Sequence, residues 1–103
     1  MKETIAIDFD GVLAYYHKGW FDKNEYGRPI AGAKSAIKKL LKKYNLVIFT
    51  CRKKESILNW LKFYDFPILK VADKKPGAIQ YIDDRGYKFT NWKEYFDNNQ
   101  NTI

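Results

Sequence analysis

Two carboxylates two positions apart, Asp8 and Asp10, close the apolar run that begins Ile5-Ala6-Ile7, and a second acidic pair, Asp83 and Asp84, follows Tyr81-Ile82. A carboxylate at the end of a buried strand is costly to desolvate unless a positive group meets it, so acidic pairs at two such places predict a site. Four carboxylates on one edge repel each other and need a cation to stay ionised. A hard divalent ion with oxygen ligands, most simply Mg2+, meets that need while taking only one or two direct carboxylates. One histidine, His17, and one cysteine, Cys51, are the wrong donors for a zinc site. A carboxylate also attacks phosphorus once a metal and a lysine have neutralised the phosphate's charge, and a second carboxylate protonates the leaving group and later deprotonates water. Asp8 and Asp10 supply that pair. Thr50 offers a hydroxyl to a phosphoryl oxygen, Lys75 or Lys74 offers the positive charge, and Asp83 and Asp84 complete the metal shell.

The elements that must position these residues follow from hydrophobic spacing. Residues 3–8 form a short strand. Ala33, Ala36, Ile37, Leu40, Leu41 and Tyr44 fall on one helical face with lysines on the other, predicting an amphipathic helix over 33–44 with Asn45 as its stop. The apolar run Leu46–Phe49 has strand length and ends at Thr50. Helical spacing returns over 53–66 through Ile57, Leu58, Leu61 and Phe63 or Tyr64, and Pro67 stops it. Ile68–Ala72 reads as a third strand, DKKPG as a turn, Ala78–Ile82 as a fourth strand ending at Asp83-Asp84, and 91–97 as a last helix capped by Asn91. Strands alternating with helices predict an α/β fold with a mainly parallel sheet. Ligands of such sheets bind at the carboxyl ends of the strands, where Asp8, Asp10, Thr50, Asp83 and Asp84 all fall.

A length of 103 residues, 46% apolar and 17% aromatic, predicts one domain over 1–103. No apolar run reaches the roughly 18 to 20 residues of a membrane span, and MKETIAIDFD lacks a signal peptide's apolar core. With a single cysteine, this predicts a soluble, cytoplasmic protein. Lys and Arg number 19 against 12 Asp and Glu, a net charge of +7. Setting four of the 12 acidic residues into one site leaves 8 against those 19. Such a surface attracts phosphorylated metabolites, nucleic acid or acidic proteins, although a solvated lysine-rich face explains it equally well.

In order along the chain, DFDGV (8–12), FTCR (49–52), KKPG (74–77) and YIDDR (81–85) resemble the four motifs of the haloacid dehalogenase-like superfamily of phosphotransferases and hydrolases. A DxD pair alone is a weak signal, whereas four motifs in order at strand ends are specific. The resemblance spans residues 5–85 and implies a three-layer Rossmann-like fold. It makes Asp8 the nucleophile and a metal ligand, and Asp10 the general acid and base, offering its backbone carbonyl to the metal. Thr50 would bind the phosphoryl group, and Asp83 would ligate Mg2+, with Asp84 reaching it less directly. Lys75 lies eight residues before Asp83, the spacing of small family members, and Lys74 is the alternative. Many relatives insert a folded cap after the first motif, but here a short flap of about 14–32 is expected, with an open site and a minimal sheet. The resemblance thus implies a capless Mg2+-dependent phosphatase with an aspartyl-phosphate intermediate, acting on a phosphorylated small molecule. The alternatives are a phosphatase of nucleotides or nucleic-acid ends, and a catalytically silent Mg2+-binding or regulatory module.

Several other residues carry two readings each. Tyr15, Tyr16, Trp20, Phe21 and Tyr26 in the flap stack on a base or pin the loop to the body. Cys51 is expected as a small buried residue, since Ile57 rather than an arginine stands six residues on, where a cysteine phosphatase needs one. Arg52 and Arg85 grip substrate anions or form surface ion pairs. His17 touches substrate or, as is more usual for a lone flap histidine, is incidental, and Asp73 enters the site or, the reading preferred here, stays outside it. A response-regulator receiver has similar content, but its acidic pair comes early and here the DD pair comes last. The absence of GxxxxGK speaks against a P-loop kinase.

Overall fold

Ile5, Ala6 and Ile7 are consecutive in sequence and all at most 1% exposed, so the first strand is covered on both faces. Two-sided burial marks an inner strand of a parallel sheet between helical layers. The computed structural model describes residues 2–15, 26–73, 76–83 and 87–98. Its elements are β1 (Glu3–Asp8), α1 (Ala33–Leu40), β2 (Tyr44–Phe49), α2 (Lys54–Phe63), β3 (Lys70–Ala72), β4 (Gln80–Asp83), β5 (Tyr87–Lys88) and α3 (Trp92–Asn98). The strands lie in the order β3-β2-β1-β4-β5, every neighbouring pair parallel. This is a small Rossmann-like α/β fold. From β1 the chain steps outward through β2 to β3 and then returns to β4 on the other side of β1. The direction of winding therefore reverses between β1 and β4, and in sheets of this kind that point opens the ligand crevice.

Several boundaries differ from those the spacing predicts. Helix α1 ends at Leu40, and Tyr44 and Asn45 belong to β2, Tyr44 lying in register with Glu3. A tight turn makes the change, with the Lys42 and Lys43 N–H groups donating to the Lys39 and Leu40 carbonyls. In α2 the inward residues are Ile57, Trp60 and Leu61, while Phe63 is 79% exposed. That helix stops before Pro67 can act. Asp65 takes a left-handed φ of 59°, the Phe66 N–H donates to the Leu61 carbonyl at 2.8 Å, and the Asp65 N–H donates to that of Lys62 at 3.2 Å. This Schellman closure brings the Phe66 ring onto Trp60, with centroids 5.0 Å apart. Strands β3 and β4 start later than predicted, at Lys70 and Gln80, and β5 has no counterpart in the sequence reading. Asn91 caps α3 as expected, its Oδ1 accepting the Glu94 N–H at 2.8 Å.

Candidate active site at the carboxyl edge of the sheet

Register brings the predicted residues together. Asp8 pairs with Phe49, and Ile7 pairs with both Ile48 and Ile82. The last residue of β1 therefore lies between Thr50, one step beyond β2, and Asp83, which ends β4 one step beyond Ile82. Parallel neighbours are about 4.8 Å apart, so Asp8, Thr50 and Asp83 meet on one edge, at the winding reversal. Asp8 Oδ1 accepts the Phe9 N–H at 2.7 Å, a bond that fixes the carboxylate against its own backbone.

The turn after β1 explains the phenylalanine between the two aspartates. Side chains alternate along an extended chain, so Phe9 points opposite to its neighbours. Its ring is fully buried, edge-on to Trp60 with centroids 4.8 Å apart and to Tyr26 at 5.9 Å. The Phe9 carbonyl accepts the N–H groups of Val12, Leu13 and Ala14, closing the loop tightly. That closure needs a left-handed residue, and Gly11 supplies it with φ 82°. Asp10 is left on the outer side of the loop.

There it meets Arg52. Arg52 Nε donates to Asp10 Oδ2 at 2.8 Å and Nη2 donates to Oδ1 at 3.0 Å, a side-on fork. The side chains are 8% and 20% exposed. The hydrogen bond to Asp10, with that carboxylate's charge, raises the pKa of the guanidinium above its ordinary value even though burial works the other way. The guanidinium lies 4.3 Å from the centroid of the Tyr26 ring. Of the two expectations for Arg52, substrate contact or surface ion pair, the structure shows an ion pair whose guanidinium is nearly buried and whose partner, Asp10, is half-buried. The Arg52 backbone N–H also donates to Thr50 Oγ1 at 3.2 Å, so the 8%-exposed threonine accepts there and keeps its own O–H to donate.

Cys51, expected to be buried, is exposed. The Thr50 N–H is bonded to the Ala72 carbonyl at 3.0 Å and holds Thr50 inward, which leaves the next side chain facing out. Cys51, Arg52, Lys53 and Lys54 line a pocket of about 430 Å³ with Val71, Ala72 and Asp73. Of the flap, Tyr15 is 41% exposed with Arg28 over its ring, and Tyr26 packs into the body. Tyr16, His17, Trp20, Phe21, Lys74, Lys75, Asp84, Arg85 and the side chain of Asp83 lie outside the described residues. Among the described residues no three His, Cys, Asp or Glu side chains gather as a metal site. The donors described on this edge are carboxylate, hydroxyl and carbonyl oxygens, the hard set that fits Mg2+. No described helix is long and apolar enough to cross a membrane.

No protein-family model matches the chain, and no curated protein does. The chain is similar in fold to a target protein from Vibrio cholerae known from its crystal structure, with a TM-score of 0.60, 19% identity and full coverage of both chains. At that identity the likeness concerns the fold alone.

Proposed function

We propose that this chain is a small Mg2+-dependent phosphatase of the haloacid dehalogenase-like type, working through an aspartyl-phosphate on Asp8. The observation that supports it best is the register that brings Asp8 between Thr50 and Asp83, with Asp10 on the adjoining turn. In the first step an Asp8 carboxylate oxygen forms a bond to phosphorus, the P–O bond to the leaving group breaks, and the leaving oxygen takes the proton that Asp10 carries. In the second, a water oxygen attacks the same phosphorus and Asp10 takes the water's proton. The P–O bond to Asp8 then breaks, releasing inorganic phosphate and restoring the carboxylate. The Thr50 hydroxyl donates to a phosphoryl oxygen, and Lys75, or Lys74, neutralises charge. Asp8, the Asp10 carbonyl, Asp83 and Asp84 would hold Mg2+, which when bound offsets the repulsion between carboxylate and phosphate.

A second reading, a phosphatase of nucleotides or nucleic-acid ends, is favoured by the pocket beside Thr50, where Lys53 and Lys54 are both exposed. The test is phosphate release from sugar phosphates, nucleotides and phosphorylated oligonucleotides, with and without Mg2+, comparing the native protein with Asp8→Asn. Mg2+-dependent release that Asp8→Asn abolishes is the expected result, and the best substrate chooses between the two readings. A folded, Mg2+-binding protein that releases phosphate from nothing would overturn both and leave a silent binding module.

A further inference from the structure

Asp10 must give a proton in one step and take one in the next, and both transfers depend on where its carboxyl oxygens stand. Asp10 sits on a loop whose internal bonds, to the Phe9 carbonyl, fix the backbone and not the carboxylate. The carboxylate is held from another element. The two Arg52 bonds run side by side from the planar guanidinium, a geometry that fixes rotation as well as distance. One lone pair of each Asp10 oxygen is used in this way, and the other remains for a proton.

We propose that Arg52 is the positioning residue for the acid–base carboxylate, and that Tyr26 extends this positioning to the chain returning from the flap. The inference rests on the phosphatase reading. Its support is independent of the motif match. Arg52 is fixed on three sides: its fork by Asp10, its face by the Tyr26 ring, and its backbone N–H by Thr50 Oγ1. Tyr26 is fixed in turn. Its ring meets the edge of Phe9, and the carbonyl of the next residue, Gly27, accepts the Trp60 indole N–H at 2.9 Å. Phe9, lying between the two aspartates, closes the circuit by packing on Trp60. The fork uses two of the five guanidinium N–H donors, both on the one carboxylate.

The chemistry supplies a readout that a structural role would not move. An alkyl phosphate expels a strongly basic alkoxide and needs the Asp10 proton as the P–O bond breaks, whereas p-nitrophenyl phosphate expels a stable phenolate without one. The ratio kcat/KM reports the steps through loss of that leaving group, before water attacks. In Arg52→Lys, which keeps the charge and loses the fork, and in Arg52→Met, kcat/KM for the alkyl ester should fall about 10- to 100-fold further than for the aryl ester. Tyr26→Leu should give a smaller loss with the same selectivity, and it keeps the test open should Arg52→Met fail to fold. Equal losses on both esters, or no loss in folded variants, would overturn the assignment while leaving the phosphatase reading standing. A native protein that hydrolyses neither ester in Mg2+ would overturn that reading and the assignment with it.

Discussion

Adding one methyl group at Gly27 should damage this protein far more than adding one at Gly77. A Cβ on Gly27 would stand 1.9 Å from the Tyr15 carbonyl oxygen and 2.7 Å from its carbon, and both are backbone atoms that no rotamer change can move. The two limbs of the flap base must then part by about 1.5 Å. That separation breaks the Tyr15 N–H bond to the Arg28 carbonyl and the Trp60 bond to the Gly27 carbonyl, both 2.9 Å, and lifts Tyr26 off Arg52. Two hydrogen bonds at about 0.5–1.5 kcal/mol each and a cation–π contact at about 0.5–1 come to roughly 1.5–4 kcal/mol. The stiffer unfolded chain returns about 0.4–1 kcal/mol, leaving a net loss of about 0.5–3.5. For a domain of this size that lowers Tm by more than about 2 °C. Gly77 is the internal control: nothing stands within 4 Å of its added Cβ and its φ is not left-handed, so Gly77→Ala should be neutral or slightly stabilising. Thermal and urea melts of both variants decide it. A Gly27→Ala melt within about 2 °C of native, or an equal fall at Gly77, would refute the close approach of the limbs.

Three further outcomes follow from other elements. Asp65→Gly should raise stability by about 0.5–1 kcal/mol in urea melts, because the left-handed Schellman position costs an L side chain what glycine does not incur. Asn91→Ala should lower it by about 1 kcal/mol through loss of the bond to the Glu94 N–H, whereas Asn91→Ser should recover most of that. The nucleic-acid reading predicts that Lys53→Ala with Lys54→Ala slows release from a phosphorylated oligonucleotide and leaves sugar phosphates unchanged. The salt slope on the oligonucleotide should flatten by about 1 per lysine, and equal losses on both substrates would refute that reading.

The strand ends were legible because a fully apolar run of strand length that stops at a polar residue has few other meanings. That pattern located Asp8, Thr50 and Asp83 on one edge, and parallel register completed the meeting. Boundaries were less legible where one burial pattern suits two structures. Tyr44 is buried, as a helical period from Ile37 requires, but it is buried as the first residue of β2. In α2 the helical spacing found Ile57, Leu58, Leu61 and, of the pair offered, Tyr64, all of which pack on the core, but it passed over the buried Trp60, and Phe63 is exposed. Strand β5 is two residues long and carries no periodicity; its pairing comes from the β4 edge.

The Asp10–Arg52 fork was illegible for a different reason, and the reason bears on how the site tolerates change. Asp8 is held by the N–H of its own neighbour, a bond that any residue other than proline at position 9 would preserve. Asp10 is held across 42 positions of sequence, and the fork forms only because Gly11 turns the chain and Phe9 anchors the loop on Trp60. No local pattern encodes a bond between the turn after β1 and the turn after β2. Substitutions at Tyr26, Gly27 or Trp60 should therefore reach Asp10, the proposed acid–base carboxylate, more directly than Asp8, the proposed nucleophile. The two halves of the proposed chemistry should fail separately: proton transfer through damage to the aromatic support, and bond formation to phosphorus through damage to β1 itself.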